Sequence, residues 1–163
     1  DDGVGFAVLD ALRRAKPPAD VSLECVAEAS GLMPILAEGG RVIVVDAVLR
    51  KPAGKVLVLS SREIAESRLS TVSTHGMGLS EALALALALD PSAADADVRI
   101  VGITIERVER GAPGLSTPVS AAIPEAVARI LALAAPAGPA DGGPRPPGGP
   151  APPIRASRSF PRR

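Results

Sequence analysis

Apolar and polar positions along the chain alternate between two periods. From Gly3 to Ala15, Val4, Val8 and Leu12 recur at intervals of four with Phe6 and Leu9 beside them, while Asp10, Arg13 and Arg14 fall elsewhere, which predicts an amphipathic helix. Lys16-Pro17-Pro18 stops it, because proline cannot continue the hydrogen-bond ladder. Val21 to Val26 changes to period two, with Val21, Leu23 and Cys25 set against Ser22 and Glu24, as a strand requires. A turn at Glu28-Ala29-Ser30-Gly31 leads into a short helix from Leu32 to Leu36, closed by Gly39-Gly40. Val42-Ile43-Val44-Val45 is then an unbroken β-branched run ending on Asp46, the pattern of a strand buried on both faces of a parallel sheet.

The second half repeats the alternation. Lys55 to Leu59 is a further strand, and its connection from Asp46, through Pro52 and Gly54, is too short for a helical crossover, so it is expected to be antiparallel or at the sheet edge. Ser60 to Ser73 is polar and weakly patterned, with a helical turn expected near Ile64 to Leu69. Ser80 is expected to cap a helix rich in Ala and Leu from Glu81 to Leu89. Val98 to Ile103 reads as a strand, and Val119 to Ala135 as a last helix with Pro124 in its first turn. Strands alternating with helices predict an α/β fold with a largely parallel sheet of about four strands.

Composition adds a boundary. From Pro136 onward half of the residues are proline or glycine, and large apolar residues almost vanish, so 1–135 is expected to be the folded domain and 136–163 a disordered tail. Formal charge is zero overall, but five Arg against one Asp in the tail leave the rest mildly acidic. With Phe6 and Phe160 as the only aromatics, a nucleic-acid partner is not expected. A single cysteine, Cys25, rules out an internal disulfide and fits a reducing, cytoplasmic compartment. Within a strand, burial is the commoner state for such a residue. The apolar run Leu79 to Leu89 is well short of the ~20 residues of a membrane span, and no membrane association is expected. The sequence begins on Asp1-Asp2-Gly3, at the turn before a helix, which suggests that a preceding strand and loop are missing.

Candidate chemistry is sparse. Ligands of parallel sheets bind at the carboxyl ends of strands, and Asp46 is placed where such a strand would end: as a helix cap, an incidental loop carboxylate, or a site residue. Asp2 stands at a helix start, where a carboxylate is favoured by the dipole alone. His75, the sole histidine, lies in a glycine-flanked loop before a helix. If these three converge at one sheet edge, two carboxylates and an imidazole suit a first-row divalent metal with open coordination positions. A Ser-His-Asp triad using Ser61 or Ser73 lacks a nucleophile elbow. An Asp2–Asp46 carboxylate dyad sharing a proton stays open, whereas Gly3-Val4-Gly5 is too short for a dinucleotide fingerprint.

Four segments in order carry a resemblance: Asp1-Asp2-Gly3-Val4-Gly5, Val42-Ile43-Val44-Val45-Asp46-Ala47, Thr74-His75-Gly76-Met77-Gly78-Leu79, and Val101-Gly102-Ile103 with Gly114-Leu115-Ser116. Over residues 1 to 134 the chain resembles the hydrogenase maturation proteases, aspartic-type endopeptidases that trim the C-terminal extension of the nickel-iron hydrogenase large subunit. The resemblance implies a three-layer α/β/α domain with a twisted sheet and one additional N-terminal strand. It implies that Asp2, Asp46 and His75 contact nickel already installed in the substrate precursor, with no permanently bound cofactor, and it leaves the catalytic group unassigned. The implied partner is the nickel-loaded large-subunit precursor. Where many members have a D-G-G-T-x-G loop after the second strand, this chain reads Val26-Ala27-Glu28-Ala29-Ser30-Gly31. The alternative reading is a non-catalytic metal-binding α/β module or an inactive fragment of such a protease; an unrelated small-molecule hydrolase would need a nucleophile that the sequence does not offer.

Overall fold

The computed structural model describes residues 3–26, 29–60, 63, 79–89, 97–107, 114–135 and 154–157. Strands β1 (Leu23–Val26), β2 (Arg41–Leu49), β3 (Val56–Ser60), β4 (Asp97–Ile105) and β5 (Ile154–Ser157) form one sheet in the order β1-β5-β2-β4-β3. All neighbours run parallel except β3, which pairs antiparallel with β4 at the edge. Helices α1 (Val4–Arg14), α2 (Met33–Ala37), α3 (Leu79–Leu89) and α4 (Thr117–Ala134) cover it.

Period-two alternation along β2 sorts the core into two halves. Ile43, Val45 and Ala47 point to the face covered by α1 and α4, where they meet Val4, Val8, Leu12, Val119, Ala126 and Ile130. Val42 and Val44 point to the opposite face, against Leu32, Ile35 and Leu36 around α2 and Leu83 and Ala86 of α3. Both faces of the sheet are therefore covered, and the fold is a three-layer α/β/α domain. Helix α4 is long and apolar enough to cross a membrane by length and composition. Its apolar side is committed to the sheet instead, with Val119, Ala122, Ala126 and Ile130 buried there.

The short connection between β2 and β3 wraps around the end of β4 rather than pairing the two strands. Arg50 N–H donates to the Ile105 carbonyl at 2.9 Å and Gly54 N–H to the Thr104 carbonyl at 2.8 Å. The buried Thr104 hydroxyl donates to the Pro52 carbonyl at 2.6 Å and accepts from Lys55 N–H at 2.8 Å. Gly54 has a φ of 80°, and a Cβ on it would lie 2.4 Å from the Pro118 carbonyl oxygen, so only glycine fits where α4 begins. This places β3 at the edge and antiparallel, as the length of the connection predicts.

Four expectations need correction. Strand β2 continues to Leu49, so Asp46 lies within it and is neither a helix cap nor a loop residue. Cys25 is exposed rather than buried, because β1 lies at the sheet edge. Pro124 falls inside α4, past its first turn, since the helix begins at Thr117 with Pro118 at its start. The sheet has five strands among the described residues rather than about four, because Ile154–Ser157 forms β5 in the sheet interior. The helical turn expected near Ile64 to Leu69 lies outside the described residues. Among the described residues before it, Ser60 N–H donates to Glu63 Oε2 at 2.8 Å and Glu63 N–H to Ser60 Oγ at 3.3 Å.

Candidate active site at the carboxyl edge of the sheet

The site is built from Asp46 outward. It shares its face of β2 with Val42, Val44 and Val48, all buried, so its carboxyl points toward the layer of α2 and α3. One carboxylate oxygen accepts the N–H of Ala47 at 2.8 Å. Among the described residues no cation pairs with it. Removal from water disfavours the charged form, and burial pushes the Asp46 carboxyl up to about 7, against a smaller opposing effect of the Ala47 N–H. A carboxyl in this state exchanges its proton near neutral pH, and gains strongly from any cation or metal brought against it.

Beside it the sheet provides a glycine. Register pairs Asp46 with Gly102 of β4, and paired residues of parallel strands share a face. A Cβ on Gly102 would lie 2.5 Å from Val48 Cγ2. The missing side chain thus lets Val48 close over β4 next to the carboxyl. In the sequence Gly102 stands between Val101 and Ile103 with no role evident from its neighbours. An isolated glycine inside a strand pattern was the available signal, since it marks close approach of neighbouring atoms.

The helix directions turn the N-termini of three helices toward this edge. Helix α4 ends at the amino edge, where Arg41, first residue of β2, donates to the Leu133 carbonyl at 2.8 Å; its N-terminus is therefore at the carboxyl edge, near the Asp46 half of β2. Helix α3 leads through the seven residues 90–96 into the start of β4, and α1 leads through residues 15–22 into the start of β1. A helix that hands the chain to the start of a parallel strand runs antiparallel to it, so the N-termini of α1 and α3 also face the carboxyl edge. In the sequence Asp2 stands two residues before α1 and His75 four residues before α3. Both residues lie outside the described residues. The structure thus describes one of the three sequence-predicted site residues, Asp46; among the described residues no cluster of three His, Cys, Asp or Glu side chains could hold a metal.

Comparison with known proteins is consistent with this architecture. The hydrogenase maturation protease family model, HycI, matches residues 13–133. Protein FrxA of Pyrococcus furiosus is 34% identical over 134 residues, covering 82% of this chain and 95% of its own length. An endopeptidase from Escherichia coli, solved in solution, superposes with a TM-score of 0.65 at 24% identity, covering 81% of this chain and 82% of its own. The hydrogenase maturating endopeptidase HybD from E. coli superposes with a TM-score of 0.60 at 21% identity, covering 82% and 83%. The two solved structures share the fold, and the family match spans most of the domain, including Asp46 and strands β1 to β4. The chain belongs to the hydrogenase maturation protease family and is a peptidase of that family.

Proposed function

We propose that this chain is the endopeptidase that removes the C-terminal extension of a nickel-iron hydrogenase large-subunit precursor after nickel insertion, in the cytoplasm, and that it recognises the bound nickel. The observation that carries this reading is the position of Asp46: a carboxyl without a cationic partner among the described residues, set in the carboxyl half of the central strand, on the face toward α3. Asp46 is half-buried, and a desolvated carboxyl without a cation is costly unless a bound group offsets the cost. A divalent ion carried in by the substrate is such a group, and carboxylate with imidazole suits nickel.

On this reading Asp46, Asp2 and His75 contact the precursor's nickel through its open positions. Contact anchors the segment to be cleaved and restricts hydrolysis to loaded substrate. Nickel here belongs to the substrate. The aspartic-type assignment rests on Asp46 and Asp2 as carboxyls near the bond. The experiment replaces Asp46 with Asn and follows processing of nickel-loaded and nickel-free precursor by gel shift. A loss on the order of 10²–10⁴-fold is expected for the loaded precursor, the range for losing a proton-transferring or charge-stabilising carboxyl; processing at the wild-type rate overturns the assignment.

A further inference from the structure

The connection between β2 and β3 is firmly held at the carboxyl edge, and positive charge collects on it. Arg50, Lys51 and Lys55 lie within this short stretch, and no acidic residue lies among them. Its backbone is tied to the last two residues of β4. Besides the bonds from Arg50 N–H and Gly54 N–H, Thr104 N–H donates to the Lys55 carbonyl at 2.9 Å, and the Thr104 hydroxyl bridges Lys55 N–H and the Pro52 carbonyl. Ala53 packs onto the core below. The side chains of Arg50, Lys51 and Lys55 are all exposed, and among the described residues none of them forms an ion pair. Like charges gathered on a fixed loop repel one another, and an anion brought against them relieves that repulsion. Leu49, directly before them, is a large apolar side chain left exposed, so the loop offers a peptide an apolar contact as well as charge.

The loop stands in a set relation to Asp46. Arg50 follows it by four residues along β2, a rise of about 13 Å. The loop crosses the end of β4, the strand that sets Gly102 beside Asp46. A chain lying from Asp46 across β4 therefore meets the loop after about four extended residues. This edge carries charge in a fixed order, a carboxyl on the face toward α3 and cations at the rim. A ligand matched to both is positive where it meets Asp46 and negative at the loop.

We infer that Arg50, Lys51 and Lys55 form a docking surface for carboxylates on the segment that the peptidase removes, about four residues beyond the group held at Asp46. This rests on the reading of Asp46 as the carboxyl that meets the metal-bearing substrate. The C-terminal extension is the part of that substrate that ends freely, so it is the part able to lie across β4. Its carboxylates are acidic side chains or its own terminus. Each exposed ion pair contributes little, but together they raise affinity without touching the bond that is cut.

The test separates charge at this loop from charge elsewhere. One full-chain variant carries Arg50→Gln, Lys51→Gln and Lys55→Gln; another loses the same charge at the amino edge, through Arg13→Gln, Arg14→Gln and Lys16→Gln at the end of α1. In about 50 mM salt the loop variant should raise KM for nickel-loaded precursor roughly tenfold with kcat unchanged, and the difference should vanish near ~1 M salt. The amino-edge variant should match the parent, as should Arg50→Lys with Lys51→Arg and Lys55→Arg. Replacing acidic side chains of the extension by amides, or amidating its terminus, identifies the carboxylate by reproducing the rise with the parent enzyme. Equal KM in the two charge-loss variants, or a fall in kcat at unchanged KM, overturns the docking surface, and so does an extension without carboxylates that keeps its KM. If the full chain leaves the precursor uncut, the proposed activity fails, and fluorescence anisotropy judges the loop alone. A labelled peptide of three glutamates behind a glycine spacer should then bind the amino-edge variant more tightly than the loop variant. Equal binding to both, or equal binding of the glutamine counterpart, overturns the inference.

Discussion

The two edges of the sheet treat their carboxylates in opposite ways. At the amino edge Asp97 receives two guanidinium groups, Arg41 Nε at 3.0 Å and Arg99 Nε at 2.9 Å, and Arg41 also reaches the last carbonyls of α4. Arg41, Asp97 and Arg99 are all paired there, and a helix C-terminus receives a cation where its dipole favours one. At the carboxyl edge Asp46 has one backbone N–H and no cation among the described residues, and burial holds its carboxyl near pH 7. The amino edge closes the domain structurally, while the carboxyl edge keeps a costly group ready for something the protein does not itself supply. On the proposed reading, stability and function are assigned to the two halves of the same strand, five residues apart.

The sharpest way to break this contrast is to remove the cost. The unfolded chain releases the Asp46 proton near its ordinary value of 3.8, whereas the folded chain keeps it to about 7. Between those values the native state binds a proton that the unfolded state lacks, so stability falls as pH rises through that window. Asp46→Asn is neutral at every pH and retains an acceptor for Ala47. It should be more stable than the parent at pH 7.5 by up to about 4 kcal/mol, and indistinguishable from it near pH 4. Urea unfolding at the two pH values measures this. An equal difference at both would show that Asp46 is not a strained group.

A smaller effect tests whether Gly102 shapes the surroundings of the carboxyl. Gly102→Ala forces Val48 Cγ2 to move from its 2.5 Å approach, within a buried face. The expected cost is about 1–3 kcal/mol of stability, from overpacking. Processing activity should fall as well, because Val48 and Asp46 share that face. A stability loss with full activity would limit Gly102 to packing.

The smallest effect belongs to the satisfied edge. Arg41→Met keeps much of the side chain's bulk and deletes its contacts to Asp97 and to the Leu133 carbonyl, which are partly exposed. A loss of about 1–2 kcal/mol is expected, independent of pH between 5 and 8 and without change in processing by the remaining folded protein. A pH-dependent loss, or selective loss of activity, would mean that the two ends of β2 are not separate in role.

Much of this architecture can be read from local pattern. Helices α1 and α4 follow the four-residue spacing of Val4, Val8 and Leu12 and the apolar face running through Val119, Ile123, Val127 and Ile130, and the β-branched run from Val42 to Val45 names the central strand. Such patterns report which side of an element must leave water, and that is a local property. The edge placement of β3 also follows from sequence, because its connection is too short for a crossover. The site is less accessible to this kind of reading. Asp46 can be chosen as a candidate from its position after an apolar run, yet its continuation inside β2 depends on pairing with β4 out to Ile105. Gly102 acquires a role only through register.

Two features were decided by the tertiary structure alone. The four residues of β5 are surrounded by proline, glycine and arginine, a composition that argues for disorder, and become a strand because two sheet edges supply hydrogen bonds from residues more than a hundred positions away. The proton affinity of Asp46 is likewise invisible in its neighbours along the chain. It comes from desolvation by burial, which arises only once the sheet and its covering layers have assembled. Amino-acid order determines which surfaces seek burial; the energies of an unpaired charge or an unfilled ladder exist only once distant segments have met.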